Sequence, residues 1–227
     1  MGNYVELKAV DGFVFPAYVA GPAGRPRAGI VAVQEIFGVN SHIRSVADGY
    51  AAQGYLAVAP ATFHRVKPGV DIGYSPEDMN AGTALKAAVE LLPAPGVMAD
   101  LQAAIGHAAQ AGKVGMVGFC WGGLLTWRAA CNLDGLAAAV PYYGGGMTTP
   151  DEAARRPKVP VMAHFGDNDR WIPPESIEAF RKAHPEVEVH VYPAGHGFNC
   201  DQRGSYDEPA ARAAGERTNA FFAQHLG

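Results

Sequence analysis

The stretch from Lys113 to Gly123, which reads Lys-Val-Gly-Met-Val-Gly-Phe-Cys-Trp-Gly-Gly, constrains the fold more than any other part of the chain. The apolar run at 114–117 predicts a strand, and residues 121–130 predict a helix. Cys120 lies in the turn between them and has a glycine two positions away on each side, so it matches a G-x-S-x-G nucleophile elbow with a thiol in place of the hydroxyl. A tight strand-to-helix connection around a small buried cysteine would explain the same five residues.

The flanking glycines have a steric cause. A strand that reverses directly into a packed helix strains the backbone of the turn residue and leaves no room for a Cβ at the positions of Gly118 and Gly122. The first N–H groups of the helix would then face the sulfur of Cys120, which favours a thiolate and a developing oxyanion. This arrangement suits acyl transfer.

Length and composition indicate one α/β domain spanning residues 1–227. Hydrophobic residues make up 48% of the chain and charged residues 18%, which excludes a disordered protein. The net charge is −4 and no basic stripe is present, so we expect no nucleic-acid partner. No apolar run approaches the length of a membrane span, and the N-terminal residues lack the features of a secretory signal. The three cysteines are an odd number, which predicts reduced thiols and a cytoplasmic location.

The order of predicted elements indicates a mostly parallel central sheet with helices on both faces and an antiparallel N-terminal start. The dipeptide Asp11-Gly12 predicts a hairpin turn. Ser41 is the predicted N-cap of the first helix, and Leu91 and Leu92 are predicted core residues. Strands are predicted near 5–7, 13–19, 28–33, 55–59, 114–117, 136–143, 159–165 and 187–192, and helices at 41–53, 75–92, 97–110, 121–130, 174–184 and 208–225.

Three candidate catalytic residues each follow a predicted strand, where open α/β sheets bind their ligands. They are Cys120, an aspartate in the loop 167–169, and His196. Nucleophile, acid and histidine occur in the chain order expected of α/β-hydrolases. His196 stands between Ala-Gly and Gly-Phe, so its imidazole can approach the sulfur as a general base, although a structural histidine is the alternative. Asp167 and Asp169 are equally able to orient the imidazole.

The segment Gln34 to Gly38 follows another buried strand. Its Ile36 N–H, together with the Trp121 N–H, is predicted to form an oxyanion hole. Glu35 is unusual there because a buried carboxylate is costly unless bonded; it pairs with a cation or faces the active site. The other seven histidines lack the setting of His196, and no pair has zinc-ligand spacing, so we expect no metal and no cofactor.

These residues together resemble the dienelactone hydrolase (carboxymethylenebutenolidase) family of α/β-hydrolases. The shared motifs are Gln34-Glu-Ile-Phe-Gly-Val-Asn40, the elbow segment 113–123, Tyr142-Tyr-Gly144, His164-Phe-Gly-x-x-Asp-x-x-Ile-Pro173 and Ala194-Gly-His-Gly-Phe198. The resemblance implies that Cys120 is the nucleophile, His196 the base, Asp169 the third triad member, and Glu35 the carboxylate that holds the resting thiol. It also implies that a lactone is opened through an acyl-enzyme.

The substrate pocket departs from the family pattern. Two arginines grip a substrate carboxylate in the family, and their positions hold Cys200 and, approximately, residues 79–81 here. A charged hydrogen bond of that kind contributes about 1.5–3 kcal/mol, so dienelactone itself is a doubtful substrate. Arg65, Arg170 or Arg203 could take the place of these arginines. The alternative for each is an ordinary solvated surface charge. Predicted aromatic pocket residues are Phe37, Trp121, Tyr142, Trp171 and Phe198.

The sequence therefore predicts a cofactor-independent hydrolase, monomeric or homodimeric, that acts on a small lactone or activated ester through Cys120. The rival hypothesis is a catalytically silent ligand-binding or thiol-sensing protein on the same fold. A disulfide with Cys131 is disfavoured, because that residue is predicted to lie on the elbow helix, beyond disulfide reach.

Overall fold

The computed structural model describes residues 2–227 and contains an eight-stranded sheet of order β1-β2-β4-β3-β5-β6-β7-β8. β1 and β2 are antiparallel to their neighbours, and the remaining pairs are parallel. The strands are β1 (Asn3–Lys8), β2 (Val14–Ala20), β3 (Gly29–Val33), β4 (Leu56–Pro60), β5 (Val114–Phe119), β6 (Leu136–Tyr142), β7 (Met162–Gly166) and β8 (Glu188–Tyr192). This is the α/β-hydrolase architecture that the order of elements predicts.

The helices alternate with the parallel strands. They are α1 (Ser41–Ala52), α2 (Pro76–Glu90), α3 (Gly96–Ala108), α4 (Trp121–Asn132), α5 (Pro150–Ala153), α6 (Pro174–Ala183) and α7 (Glu208–Leu226), and a 3₁₀ turn spans Ala109–Ala111. α5 is a single turn that the sequence pattern does not indicate. None of the helices within residues 2–227 is both long enough and apolar enough to cross a membrane.

The hairpin at the N-terminus forms as predicted. Its register pairs Asn3 with Val19 and Lys8 with Val14, and Gly12 adopts the positive φ of 87° that the turn requires. β2 then pairs with β4, so the hairpin extends one edge of the parallel sheet.

The centre of the sheet is covered on both faces. All five residues of β3 are buried, as the continuous apolar run predicts. A Cβ built on Gly29 would contact Ala108 of α3, whereas a Cβ on Gly115, which pairs with Ile30, would contact Phe222 of α7. Because successive strand residues face opposite sides, α3 and α7 pack on opposite faces of the sheet.

Two local predictions are wrong. The N-cap of α1 is Asn40, whose side chain accepts a hydrogen bond from the Ile43 N–H, while Ser41 Oγ bonds to Gln202 instead. Leu91 is 85% exposed because it follows the end of α2 at Glu90, and the buried residue at this end of the helix is Val89.

The glycines of the elbow lie against backbone atoms. A Cβ on Gly122 would lie 2.3 Å from the carbonyl oxygen of Gln34, and a Cβ on Gly118 would lie 2.1 Å from that of Gly122. Both distances are shorter than van der Waals contact. The close approach of β3, β5 and α4 therefore requires glycine, which has no side chain, at both positions.

We expect Gly122→Ala to lower the free energy of unfolding by about 3 kcal/mol, because the added methyl group forces α4 away from β3. Gly106→Ala is the matched control: it is also a helical glycine, but a Cβ there meets nothing within 4 Å. The control should be stabilising by about 0.5–1 kcal/mol. Urea unfolding of both variants measures the difference, and equal stabilities would contradict the steric account of the elbow.

Candidate active site

Cys120 occupies the turn between β5 and α4, at the carboxyl edge of the parallel strands. Its φ of 56° and ψ of −119° place it outside the regions that a cysteine ordinarily adopts. The strained conformation is held by a hydrogen bond from the Cys120 N–H to the Tyr142 carbonyl at 3.0 Å and by bonds from the N–H groups of α4 to the Cys120 carbonyl. The thiol is partly exposed, whereas Cys131 and Cys200 are buried.

His196 lies in the loop after β8 and is bonded to an aspartate from the loop after β7. Its Nδ1–H donates to Asp169 Oδ2 at 2.7 Å. Asp169 is 3% exposed and also accepts a hydrogen bond from the Trp171 N–H at 2.8 Å, so both carboxylate oxygens are bonded. Asp167, the other candidate, is exposed. The geometry thus distinguishes Asp169 from Asp167, which the sequence pattern alone could not do.

Cys120 and His196 line the same cavity. Burial by itself disfavours a charged imidazole, but the negative charge of Cys120, together with hydrogen bonds to Asp169 and Cys120, outweighs it and raises the pKa of His196 to about 10. The site therefore favours a protonated His196, and a positively charged neighbour is the setting in which cysteine nucleophiles are activated.

Glu35 follows β3 and is 2% exposed. Its Oε1 accepts a hydrogen bond from Arg203 Nη1 at 2.8 Å. The family resemblance gives Glu35 the resting thiol as partner, whereas the contact found here is with the guanidinium. Arg203 is itself only 13% exposed in its side chain, so it is not the solvated charge that the sequence pattern indicates.

A cavity of about 530 Å³ opens above the thiol. It is lined by Cys120 and His196, by the two predicted oxyanion-hole residues, and by residues of α2 and of the loops after β6, β7 and β8. The lining residues are Ile36, Phe37, Met79, Thr83, Lys86, Cys120, Trp121, Gly145, Gly146, Asn168, Arg170, Trp171, His196, Arg203 and Ser205. This volume suits a small-molecule substrate.

Two predicted pocket residues do not line this cavity. Tyr142 is 2% exposed, and its hydroxyl is hydrogen-bonded to Thr218 of α7 at 2.6 Å, so its side chain points into the core. Phe198 is fully buried and packs on the rings of Tyr142 and Tyr143. Phe37, Trp121 and Trp171 do line the cavity.

Trp121 is fixed by contacts on both sides of its ring. Its indole N–H donates to Glu90 Oε1 at 2.7 Å, and its ring stacks on Phe63 with centroids 5.1 Å apart. These contacts hold the first turn of α4, and with it the backbone N–H next to Cys120, against α2.

Three arginines are candidate substrate-binding cations by sequence. Arg170 and Arg203 line the cavity, whereas Arg65 forms ion pairs elsewhere in the structure. Arg65 forms bidentate hydrogen bonds with Asp100 and Asp11 at 2.7–3.1 Å, away from the cavity. Arg170 lies at the exposed rim over the ring of Trp171.

Lys86 of α2 also lines the cavity, and the sequence analysis did not predict it. Its position seven residues after Met79, another lining residue, places both on one face of the helix.

Comparisons with known proteins identify the family and agree with the fold. The sequence model of the dienelactone hydrolase family matches residues 15–226. The chain belongs to the dienelactone hydrolase family. Membership makes it an ester or lactone hydrolase that acts on small molecules and confirms both the resemblance and the α/β-hydrolase fold.

Individual relatives cover nearly the whole chain. A protein of Synechocystis sp. is 35% identical over 215 residues, which are 87% of this chain and 86% of the relative. An Escherichia coli protein is 36% identical over 233 residues, with coverages of 93% and 83%. Both are named "Putative carboxymethylenebutenolidase". The crystal structure of a "Putative Dienelactone Hydrolase" from Klebsiella pneumoniae superposes with a TM-score of 0.81 at 32% identity, covering 98% of this chain and 99% of that one.

Proposed function

We propose that the chain hydrolyses a small ester or lactone through a Cys120–His196–Asp169 triad. The observation that carries this proposal is the position of His196, which bonds Asp169 through Nδ1 and lines the same cavity as Cys120. Ester turnover by Cys120→Ala is the test, and we expect it to be lost.

In the first half-reaction the thiolate of Cys120 attacks the carbonyl carbon, and the carbonyl electrons move onto oxygen. The backbone N–H groups of Ile36 and Trp121 stabilise this oxyanion. The imidazolium of His196 then gives its proton to the leaving oxygen as the C–O bond breaks, which leaves a thioester on Cys120 and a free alcohol, or an opened ring when the substrate is a lactone.

In the second half-reaction His196, now neutral, takes a proton from water as the oxygen of that water attacks the thioester. The tetrahedral intermediate collapses with loss of the thiolate, which restores the imidazolium–thiolate pair and releases a carboxylic acid. Asp169 keeps the imidazole in one orientation throughout and stabilises its charged form.

We further propose that Arg203 binds an anionic group of the substrate. It replaces the two arginines that the family places elsewhere, and it reaches the cavity wall from a loop position three residues beyond Cys200. A substrate carboxylate would compete with Glu35 for the guanidinium and release the buried glutamate from its ion pair.

We expect the double variant Glu35→Gln/Arg203→Met to lower kcat/KM for a carboxylate-bearing ester about 10–100-fold, corresponding to the 1.5–3 kcal/mol of one charged hydrogen bond. A neutral aryl ester should lose much less. Changing both residues avoids leaving a buried charge without its partner.

Arg170→Met is the matched control, since it removes the other cavity arginine, whose side chain is exposed and stacks on Trp171. It should change both substrates by less than about threefold, as expected of a screened surface charge. Equal losses on charged and neutral esters in the double variant would contradict the assignment of Arg203.

A further inference from the structure

A second group of reactive side chains lies outside the catalytic cavity, where the start of α1 meets the loop after His196. It consists of His42, Cys200 and Asp201, and one donor atom from each lies within 4.8 Å of the other two. The sequence gives no sign of it, because His42 and Asp201 are 159 residues apart. No other cluster of three such donors occurs within residues 2–227.

The donors are held from both sides. His42 is in the first turn of α1, which Asn40 caps, and neighbouring Ser41 bonds to Gln202 at 2.8 Å. On the other side, the Cys200 N–H donates to the Gly197 carbonyl at 3.0 Å, and the Cys200 carbonyl accepts from the Arg203 N–H at 3.1 Å. The backbone of the cluster is therefore organised before any ligand arrives.

His42 has incomplete hydrogen bonding. It is 4% exposed, its Nδ1 lies 3.3 Å from Asp201 Oδ1, and its Nε2 has no hydrogen-bond partner among the described residues. A buried imidazole with one unsatisfied nitrogen loses the solvation that it had in water. Imidazole coordinates cations through a single nitrogen, and Nδ1 is the nitrogen of His42 that faces Asp201.

The distances fit a small tetrahedral ion. Nitrogen and oxygen ligands lie about 2.0–2.2 Å from zinc, and sulfur about 2.3 Å, so two ligands of one ion are roughly 3.3–3.7 Å apart. The pair His42–Asp201 already has this separation, and the Cys200 sulfur needs to move by roughly 1 Å to reach it. Asp201 is the open side of the cluster, with 67% of its side chain exposed, so an ion can enter from solvent.

We propose that His42, Cys200 and Asp201 form a binding site for a thiophilic divalent cation of the Zn²⁺ class. Sulfur and imidazole ligands select Zn²⁺, Co²⁺ or Cd²⁺ over Mg²⁺ and Ca²⁺, which prefer all-oxygen sites. On binding, the Cys200 S–H bond is replaced by a sulfur–metal bond, the proton goes to solvent, and the hydrogen bond from Cys200 to the Tyr74 hydroxyl is given up. The proposal does not depend on the catalytic role of Cys120.

The test is made in the Cys120→Ala background, so that the catalytic thiol cannot bind metal. With Co²⁺ as the probe, we expect one ion per chain and a thiolate-to-cobalt charge-transfer band. Adding Cys200→Ser should abolish the band and weaken binding about 10–100-fold or more. Asp201→Asn, at an exposed side chain, should weaken binding about tenfold while leaving the fold intact.

Two matched controls belong to the experiment. Cys131→Ser removes the other buried cysteine, and Glu188→Gln removes the carboxylate of a different histidine pair, His190–Glu188. Neither should change Co²⁺ binding, and Zn²⁺ should raise the melting temperature of both controls but not of the Cys200→Ser protein. Absence of the charge-transfer band, or its survival in the Cys200→Ser or Asp201→Asn variants at full affinity, would overturn the proposal.

Discussion

Cys120→Ala is expected to reduce the turnover rate of an activated aryl ester by on the order of 10⁴-fold or more, because the nucleophile is removed. The reason is that every bond change in the proposed mechanism passes through the sulfur at the elbow. No neighbouring group can replace it, since Cys131 and Cys200 are buried and burial raises the pKa of their thiols to about 12 and about 11. Steady-state hydrolysis with p-nitrophenyl acetate measures the loss.

The fold should survive this change, because alanine fits where cysteine does and the strained backbone is set by the packing of β5 and α4. Thermal unfolding of the variant checks this, and Cys131→Ala serves as the thiol control with activity retained. Turnover that persists in the Cys120→Ala protein would remove Cys120 as the nucleophile.

The same variant also tests the ion pair. The negative charge of Cys120 is the largest influence that raises the pKa of His196 to about 10, against the opposing effect of burial. Without it, the pKa of His196 should fall well below that value, and an NMR titration of the imidazole would record the change. An unchanged titration would mean that Asp169 alone stabilises the charged ring.

The parts of this molecule that sequence reasoning found are those with local causes. The elbow is recognisable because the tight turn requires two glycines at a fixed spacing within five residues. A Cβ added to Gly122 would lie only 2.3 Å from the carbonyl oxygen of Gln34, the residue after β3. The strand that precedes each catalytic candidate is likewise a local apolar run. Chain order then places Cys120, Asp169 and His196 at one edge, because parallel strands all end there.

What sequence reasoning missed depends on contacts between distant segments. Arg203 and Glu35 are 168 residues apart, and no pattern around either one shows that they pair. Asp167 and Asp169 are both common turn residues, and only the hydrogen bond from His196 to Asp169 distinguishes them. Tyr142 and Tyr143 are adjacent, yet the first turns toward α7 and the second places its ring 5.2 Å from that of His196.

The removal of His196 should be as damaging as the removal of the thiol. In the proposed mechanism His196 protonates the leaving oxygen and activates water, so His196→Ala should lower kcat by on the order of 10⁴-fold or more. His190→Ala is the matched control, since that histidine lies on β8 just before the same loop and pairs with Glu188 at the surface. It should retain activity.

The combination of His196→Ala with Cys120→Ala distinguishes a functional pair from two independent contributions. If sulfur and imidazole act as one unit, the double variant is expected to be no slower than the worse single variant, because either change already removes the whole thiolate mechanism. Independent groups would multiply their losses. The comparison is made by measuring kcat/KM for the four proteins of this cycle on one ester. Losses that multiply would show that His196 acts on the substrate without Cys120 and would contradict the proposed triad.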